Sequence, residues 1–119
     1  MNAQMEILLQ IQDLKGQRKE LGEGETARQV QEEQFNLDIE TALAELDDRI
    51  EALETELDPT VRTRYDRLAK AMSRPVVPAI NGTCYGCFVS VATAVASDPR
   101  ERNRLRTCDH CGRFLYFVS

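Results

Sequence analysis

The chain has 119 residues, no tryptophan, 6% aromatic residues and a formal net charge of −5. No apolar run approaches the length of a membrane span. The N-terminus (MNAQMEILLQIQDLKGQ) lacks the basic segment, long apolar core and cleavage site of a secretory leader, so a cytoplasmic protein without a membrane partner is expected.

Before residue 74 the sequence is rich in Glu, Gln, Leu, Arg and Ala, a mixture typical of long helices and of an extended molecule. Ile7, Ile11, Leu14 and Leu21 follow a four-three spacing that Arg18 interrupts. A second stripe, Ile39, Leu43, Leu46, Ile50, Leu53 and Leu57, alternates steps of three and four on one seam, as in a coiled coil. Between them, Gly22-Glu23-Gly24-Glu25 reads as a turn, and Thr26 with Gln29 as the capping box of a restarting helix. The expected arrangement is a helical hairpin over residues 1–73, turning near residues 22–25; its rival is one helix that runs on through the glycines and pairs with another chain. A first helix much shorter than the second would leave part of the second seam bare, and a homodimer would cover it.

Asp58-Pro59 marks a helix break, since proline suits a first helical position. Val61, Tyr65, Leu68 and Met72 carry a stripe to about Ser73, where Pro75 and Pro78 end it. Val76–Ile80 reads as extended chain, Phe88–Val91 and Phe114–Val118 as short strands, and Ser97-Asp98-Pro99 as the start of a turn or helix through Leu105.

The four cysteines form two Cys-x-x-Cys pairs, Cys84/Cys87 and Cys108/Cys111, with twenty residues between them. This spacing matches one four-thiolate zinc site, each pair being a knuckle that offers two sulfurs. Gly86 and Gly112 are read as supplying positive φ to those turns. Paired disulfides would need an oxidising compartment, and a redox pair would need a βαβ context around one motif. Four thiolates also suit iron. With zinc the shell is full, which makes the ion structural and leaves no position for water or substrate. His110, the single histidine, reads as an exposed knuckle residue with no catalytic partner in view, so no enzyme is expected.

Charge is divided along the chain. Residues 1–61 carry 5 Lys+Arg against 16 Asp+Glu, whereas residues 62–119 carry 10 against 4. Arg62, Arg64, Arg67, Lys70 and Arg74 lie at the last helix of the hairpin. Arg100, Arg102, Arg104 and Arg106 lie between the knuckles, and Arg113 follows the second. Arginines beside aromatic residues suit phosphate contact and base stacking, with RNA favoured over DNA. Tyr65, Tyr85 and Tyr116 are the aromatic candidates, with packing the simpler role for Tyr116. Against this stands a solvated face with some arginines paired to Asp66, Asp98 or Glu101.

The run from Tyr65 through Leu68, Pro75-Val76-Val77-Pro78-Ala79, NGTCYGC and CDHCGRFLY resembles the bacterial coiled-coil, C4-type zinc-ribbon family. The matching positions are Gly82, Cys84, Cys87, Cys108, Cys111, Gly112, Arg113, Leu115 and Tyr116, within residues 58–117. The family has Leu-Pro-Pro-Gln after the first knuckle, followed by an Asn-Glu-Leu-Arg-like helix. This chain has Val91-Ala92-Thr93-Ala94 and then Ser97-Asp98-Pro99-Arg100, and its helical part is much shorter. The resemblance implies a long antiparallel hairpin joined to a ribbon and a non-enzymatic regulatory role. Relatives include partners of the nitrogen-type sigma factor and regulators that bind messenger RNA.

The expected protein is mostly α with a small β ribbon: a hairpin over residues 1–73 and a four-Cys ribbon over 74–119 holding one structural Zn2+ at Cys84, Cys87, Cys108 and Cys111. It is expected to bind RNA through Arg64, Arg67, Lys70, Tyr85, Arg100, Arg102, Arg104, Arg106 and Arg113. Its coiled coil would meet a protein of the transcription machinery, a sigma factor or RNA polymerase. Two alternatives are a protein-only scaffold and a polymerase secondary-channel factor with an acidic tip at Glu20, Glu23 and Glu25.

Overall fold

The computed structural model describes residues 2–27 and 33–118. Helix α1 spans Ala3–Ala27 and α2 spans Glu33–Thr55. Asn2 starts α1 by accepting from the backbone N–H of Gln4 at 2.9 Å, which satisfies a donor that the first turn leaves without a partner. The two helices lie antiparallel: Gln4 meets the carbonyl of Glu56, and Arg18 meets Asp47.

The turn expected near residues 22–25 is not there. Gly22, Gly24 and Thr26 all lie within α1, which ends only at Ala27. Two glycines cost a helix roughly 1 kcal/mol each, a small penalty beside the packing of a helix along its whole length. The connection from α1 to α2 lies outside the described residues. With 25 residues in α1 and 23 in α2, the length mismatch that called for a homodimer disappears.

The second seam follows the sequence pattern, with Ile39 and Ile50 of α2 and Leu57 just past its end buried, Leu46 and Leu53 packed on the cluster that holds Ile50 and Leu57, and Leu43 half-buried. On α1 the buried positions are Met5, Leu8, Ile11 and Leu14, so Met5 and Leu8 take the place expected for Ile7, which is only half-buried. Arg18, which breaks the apolar stripe, bridges the helices instead: its Nε donates to Asp47 Oδ1 at 2.5 Å. That hydrogen bond, with the charge of Asp47, raises the arginine's pKa further.

Helix α3, Pro59–Ala71, begins with proline in its first turn and turns Tyr65 inward. Tyr65 is fully buried, with Lys15 Nζ 4.5 Å from its ring centre, so it is a core residue and not a surface for stacking.

Four strands follow: β1 Val76–Ile80, β2 Thr83–Cys84, β3 Arg106–Thr107 and β4 Phe114–Val118, in the order β2-β1-β4-β3. The central pair, β1 and β4, is parallel, with Val76 opposite Phe114 and Ile80 opposite Val118. Each outer strand is antiparallel to its neighbour. Asn81 and Gly82, both at positive φ, make the two-residue hairpin turn between β1 and β2.

Short helices α4 (Thr93–Ala96) and α5 (Pro99–Arg102) lie between the knuckles. Asp98 caps α5 by accepting from the Arg100 N–H. The helix expected through Leu105 stops at Arg102, because Arg106 and Thr107 pair with Leu115 and Phe114. The strand expected over Phe88–Val91 is reduced to one bridge between Thr83 and Ser90. Phe88 has φ 61 and its N–H is engaged by the first knuckle, so it cannot join a ladder.

One apolar cluster joins Met5, Leu8, Ile11, Leu14, Ile50, Leu57 and Tyr65 to Val76 of β1 and Phe114 of β4. A second, made of Val77, Ala79, Cys84, Cys108 and Leu115, lies on the cysteine side of the sheet. The alternation along β1 and β4 explains the division, since neighbouring residues face opposite sides of a strand.

Candidate metal centre

Cys84 ends β2, and Cys108 follows β3 directly. Each begins a tight loop with the same pair of backbone bonds. In the first, the Phe88 N–H donates to the Cys84 carbonyl at 2.7 Å and the Cys84 N–H to the Val89 carbonyl at 3.0 Å. In the second, the Gly112 N–H donates to Cys108 at 2.9 Å and the Cys108 N–H to Arg113 at 2.8 Å. The loops therefore present their sulfurs in matching ways.

All four Sγ atoms lie within 4.8 Å of one another. Cys84 and Cys111 are 3.8 Å apart, and Cys87 and Cys108 are 3.7 Å apart. A tetrahedron with metal–sulfur distances of about 2.3 Å has edges of about 3.8 Å. These separations are far too long for a disulfide, and all four cysteines are free. The cluster can hold one metal ion.

Burial pushes the Cys84 thiol up to about 12, although the backbone N–H groups of Cys87 and Gly86 oppose it. Burial also raises Cys87. Burial acts the same way on Cys111, but there the backbone N–H and guanidinium of Arg113 prevail and bring the thiol down to about 7. The same N–H groups would stabilise sulfur in its charged, metal-binding form.

Gly86 does not have positive φ; Gly82 and Gly112 do. Glycine at 86 leaves room for Arg113, since a Cβ there would lie 2.7 Å from Arg113 Cδ and would make that side chain shift. Arg113 crosses this position while donating from Nε to the Arg74 carbonyl at 3.0 Å. His110 is exposed and stands outside the cysteine cluster.

The cations expected to contact nucleic acid differ in their partners. Arg104 and Arg106 both pair with Glu101. Arg102 lies 5.6 Å from the Phe117 ring centre, and Arg100 is exposed at the start of α5. Arg64, Arg67 and Lys70 are exposed along α3, with Arg64 lining a cleft beside Leu105 and Thr107. Among the described residues, none of these three, nor Arg74 or Arg113, has a carboxylate within 4.0 Å. Tyr85 is exposed at the first knuckle, beside Arg74 and Arg113. Phe88, which the sequence reading placed in a strand, stands next to it.

No family model and no curated protein matches the chain. Two solved structures share its fold. One is CT398 from Chlamydia trachomatis, with 23% identity and a TM-score of 0.50, the match covering 84% of this chain and 44% of that one. The other is the HP0958 protein from Helicobacter pylori, with 23% identity and a TM-score of 0.60, covering 73% of this chain and 37% of that one. The chain thus spans less than half the length of either.

Proposed function

We propose that the chain is a shortened member of the coiled-coil, C4-type zinc-ribbon family and a non-enzymatic regulatory adaptor that binds single-stranded nucleic acid, RNA in particular. In this reading Cys84, Cys87, Cys108 and Cys111 hold one Zn2+ as a structural ion that fastens the two knuckles together. The fold likeness and the close clustering of the four sulfurs, two pairs of them at a tetrahedral edge length, support it. The acidic α1–α2 pair contacts a basic protein surface of the transcription machinery.

The observation that carries the nucleic-acid reading is a set of cations that have no carboxylate partner among the described residues: Arg64, Arg67 and Lys70 on α3, Arg74 just after it, and Arg113 after the second knuckle. Arginines already neutralised by Glu101 offer less to a phosphate, so Arg104 and Arg106 are secondary. The test is RNA binding by the zinc-loaded protein across a salt series. Replacing Arg64, Arg67 and Lys70 by Ala should lower the slope of log affinity against log salt by about 2, at roughly 0.7 per phosphate contact. The same change at Arg104 and Arg106 should lower it less. A folded wild type that binds no RNA at low salt would make the chain a protein-only scaffold.

A further inference from the structure

The two knuckles close with the same backbone bonds but not with the same residue. At the position after the second cysteine, one has Gly112 at φ 79 and the other Phe88 at φ 61. Left-handed backbone is open to glycine and unfavourable for a residue with a Cβ, especially a bulky one. Burial does not compensate Phe88 for this conformation, because it is 70% exposed, the most exposed large apolar side chain among the described residues. Backbone strain and solvent exposure therefore both oppose stability at one aromatic residue. The knuckle dictates this backbone but not the side chain, so a large exposed ring where the other knuckle has glycine points to a binding role.

Phe88 is not isolated. The Tyr85 ring, 46% exposed, lies 5.5 Å from it between centroids, with the planes inclined at 51°. Tyr85 also lines a cleft of about 440 Å³ with Arg74 and Arg113, and no carboxylate among the described residues lines it. An apolar patch alone would suit a protein partner equally well. Arginines without acidic neighbours select a polyanion, and exposed rings select the faces of unpaired bases.

We infer that Phe88 and Tyr85 form a stacking platform for successive bases of a single strand, with Arg74 and Arg113 holding the adjoining phosphates. This rests on the nucleic-acid reading above and adds to it a strand type and two stacking residues. The inclined rings offer separate faces, one to each base. A duplex keeps its bases stacked on one another and cannot use them.

The test is equilibrium binding of the metal-loaded full chain to a short labelled RNA of mixed sequence, as a single strand and as a duplex. Wild type, Phe88→Gly and Tyr85→Ala are compared, with thermal melting alongside. Phe88→Gly should weaken single-strand binding about tenfold. Its melting temperature should be unchanged or higher, because glycine relieves the left-handed backbone. Tyr85→Ala should weaken the single strand similarly and leave the duplex unaffected. If Phe88→Gly and Tyr85→Ala bind the single strand as tightly as wild type, the platform is overturned while the nucleic-acid reading stands. A wild type that binds no RNA overturns both; if Phe88→Gly then splits a wild-type dimer, the patch is a protein contact.

Discussion

The side-chain amide of Gln12 pairs with both backbone groups of Val76. Its Nε2 donates to the Val76 carbonyl at 3.0 Å, and its Oε1 accepts from the Val76 N–H at 2.9 Å. Val76 is the first residue of β1 and is fully buried, while the bonds from half-buried Gln12 are only partly shielded from water. Two turns earlier, Gln4 does the same for the α2–α3 junction, accepting from the Asp58 N–H and donating to the Glu56 carbonyl. One face of α1 thus holds the junction at one point and the sheet at another.

Replacing Gln12 by Ala should destabilise the protein by about 1–2 kcal/mol, since it removes the partners of a backbone donor and acceptor at a part-buried site. Gln17→Ala, on the exposed side of the same helix, is the control and should stay within about 0.5 kcal/mol of wild type. Urea denaturation of the metal-loaded protein measures both. Equal effects would mean that α1 does not anchor the sheet through Gln12.

Metal removal should be felt in the helices. Val76 and Phe114 share a cluster with Met5, Leu8, Ile11 and Tyr65, so loosening the sheet opens the helical core from one side. Structural four-thiolate sites contribute on the order of 10–16 kcal/mol in model peptides, more than the sheet's apolar contacts can replace. A strong chelator should therefore lower the helical circular dichroism signal and the melting temperature together, and added zinc should restore them. A helical signal and melting point that survive chelation would show the two parts to be energetically independent.

Local chemistry made the cysteine cluster readable from sequence, because each Cys-x-x-Cys pair brings its own turn and the count leaves none over. The α2 seam was equally plain, since its burial follows a short period. Gln12 and Val76, in contrast, are separated by 64 positions, and a glutamine on a helix looks like surface. Asn81-Gly82 carried the signal for the β1–β2 hairpin, a two-residue turn of the kind these residues favour. Phe88 was misread because an apolar side chain suggests a strand, while its backbone is dictated by the knuckle it closes. Arg106 was assigned to a surface cluster because its pairing with Leu115 depends on the sheet, which local sequence does not reveal.

Metal affinity should rise with pH, and the sign follows from the thiols. Bound metal needs thiolates, so any thiol protonated in the metal-free protein must lose its proton on binding. With Cys84 near 12, that proton is present at every physiological pH and contributes a slope of about one log unit of affinity per pH unit, to which Cys87, also raised by burial, adds. Cys111, brought down to about 7, adds to the slope only below that value. Competition with a chromophoric chelator should thus show a steeper fall in affinity on the acid side of about pH 7. Arg113→Ala removes the guanidinium from Cys111 and should move that break upward; an unmoved break would mean that the backbone N–H alone sets it.

Gly22 decides between a continuous α1 and an early turn. A Cβ at Gly22 would meet nothing within 4 Å, and the same is true at Gly16. Both residues lie inside α1, away from its ends, where alanine is the better helix former by about 1 kcal/mol. Gly16→Ala and Gly22→Ala should therefore each stabilise the protein by about 0.5–1 kcal/mol, with nearly additive effects because the sites are far apart. If the chain reversed near residues 22–25 as the glycines suggest, a left-handed turn position would make Gly22→Ala destabilising while Gly16→Ala still stabilised. Thermal melting of the two single variants and the double variant separates these cases by the sign of the change at Gly22.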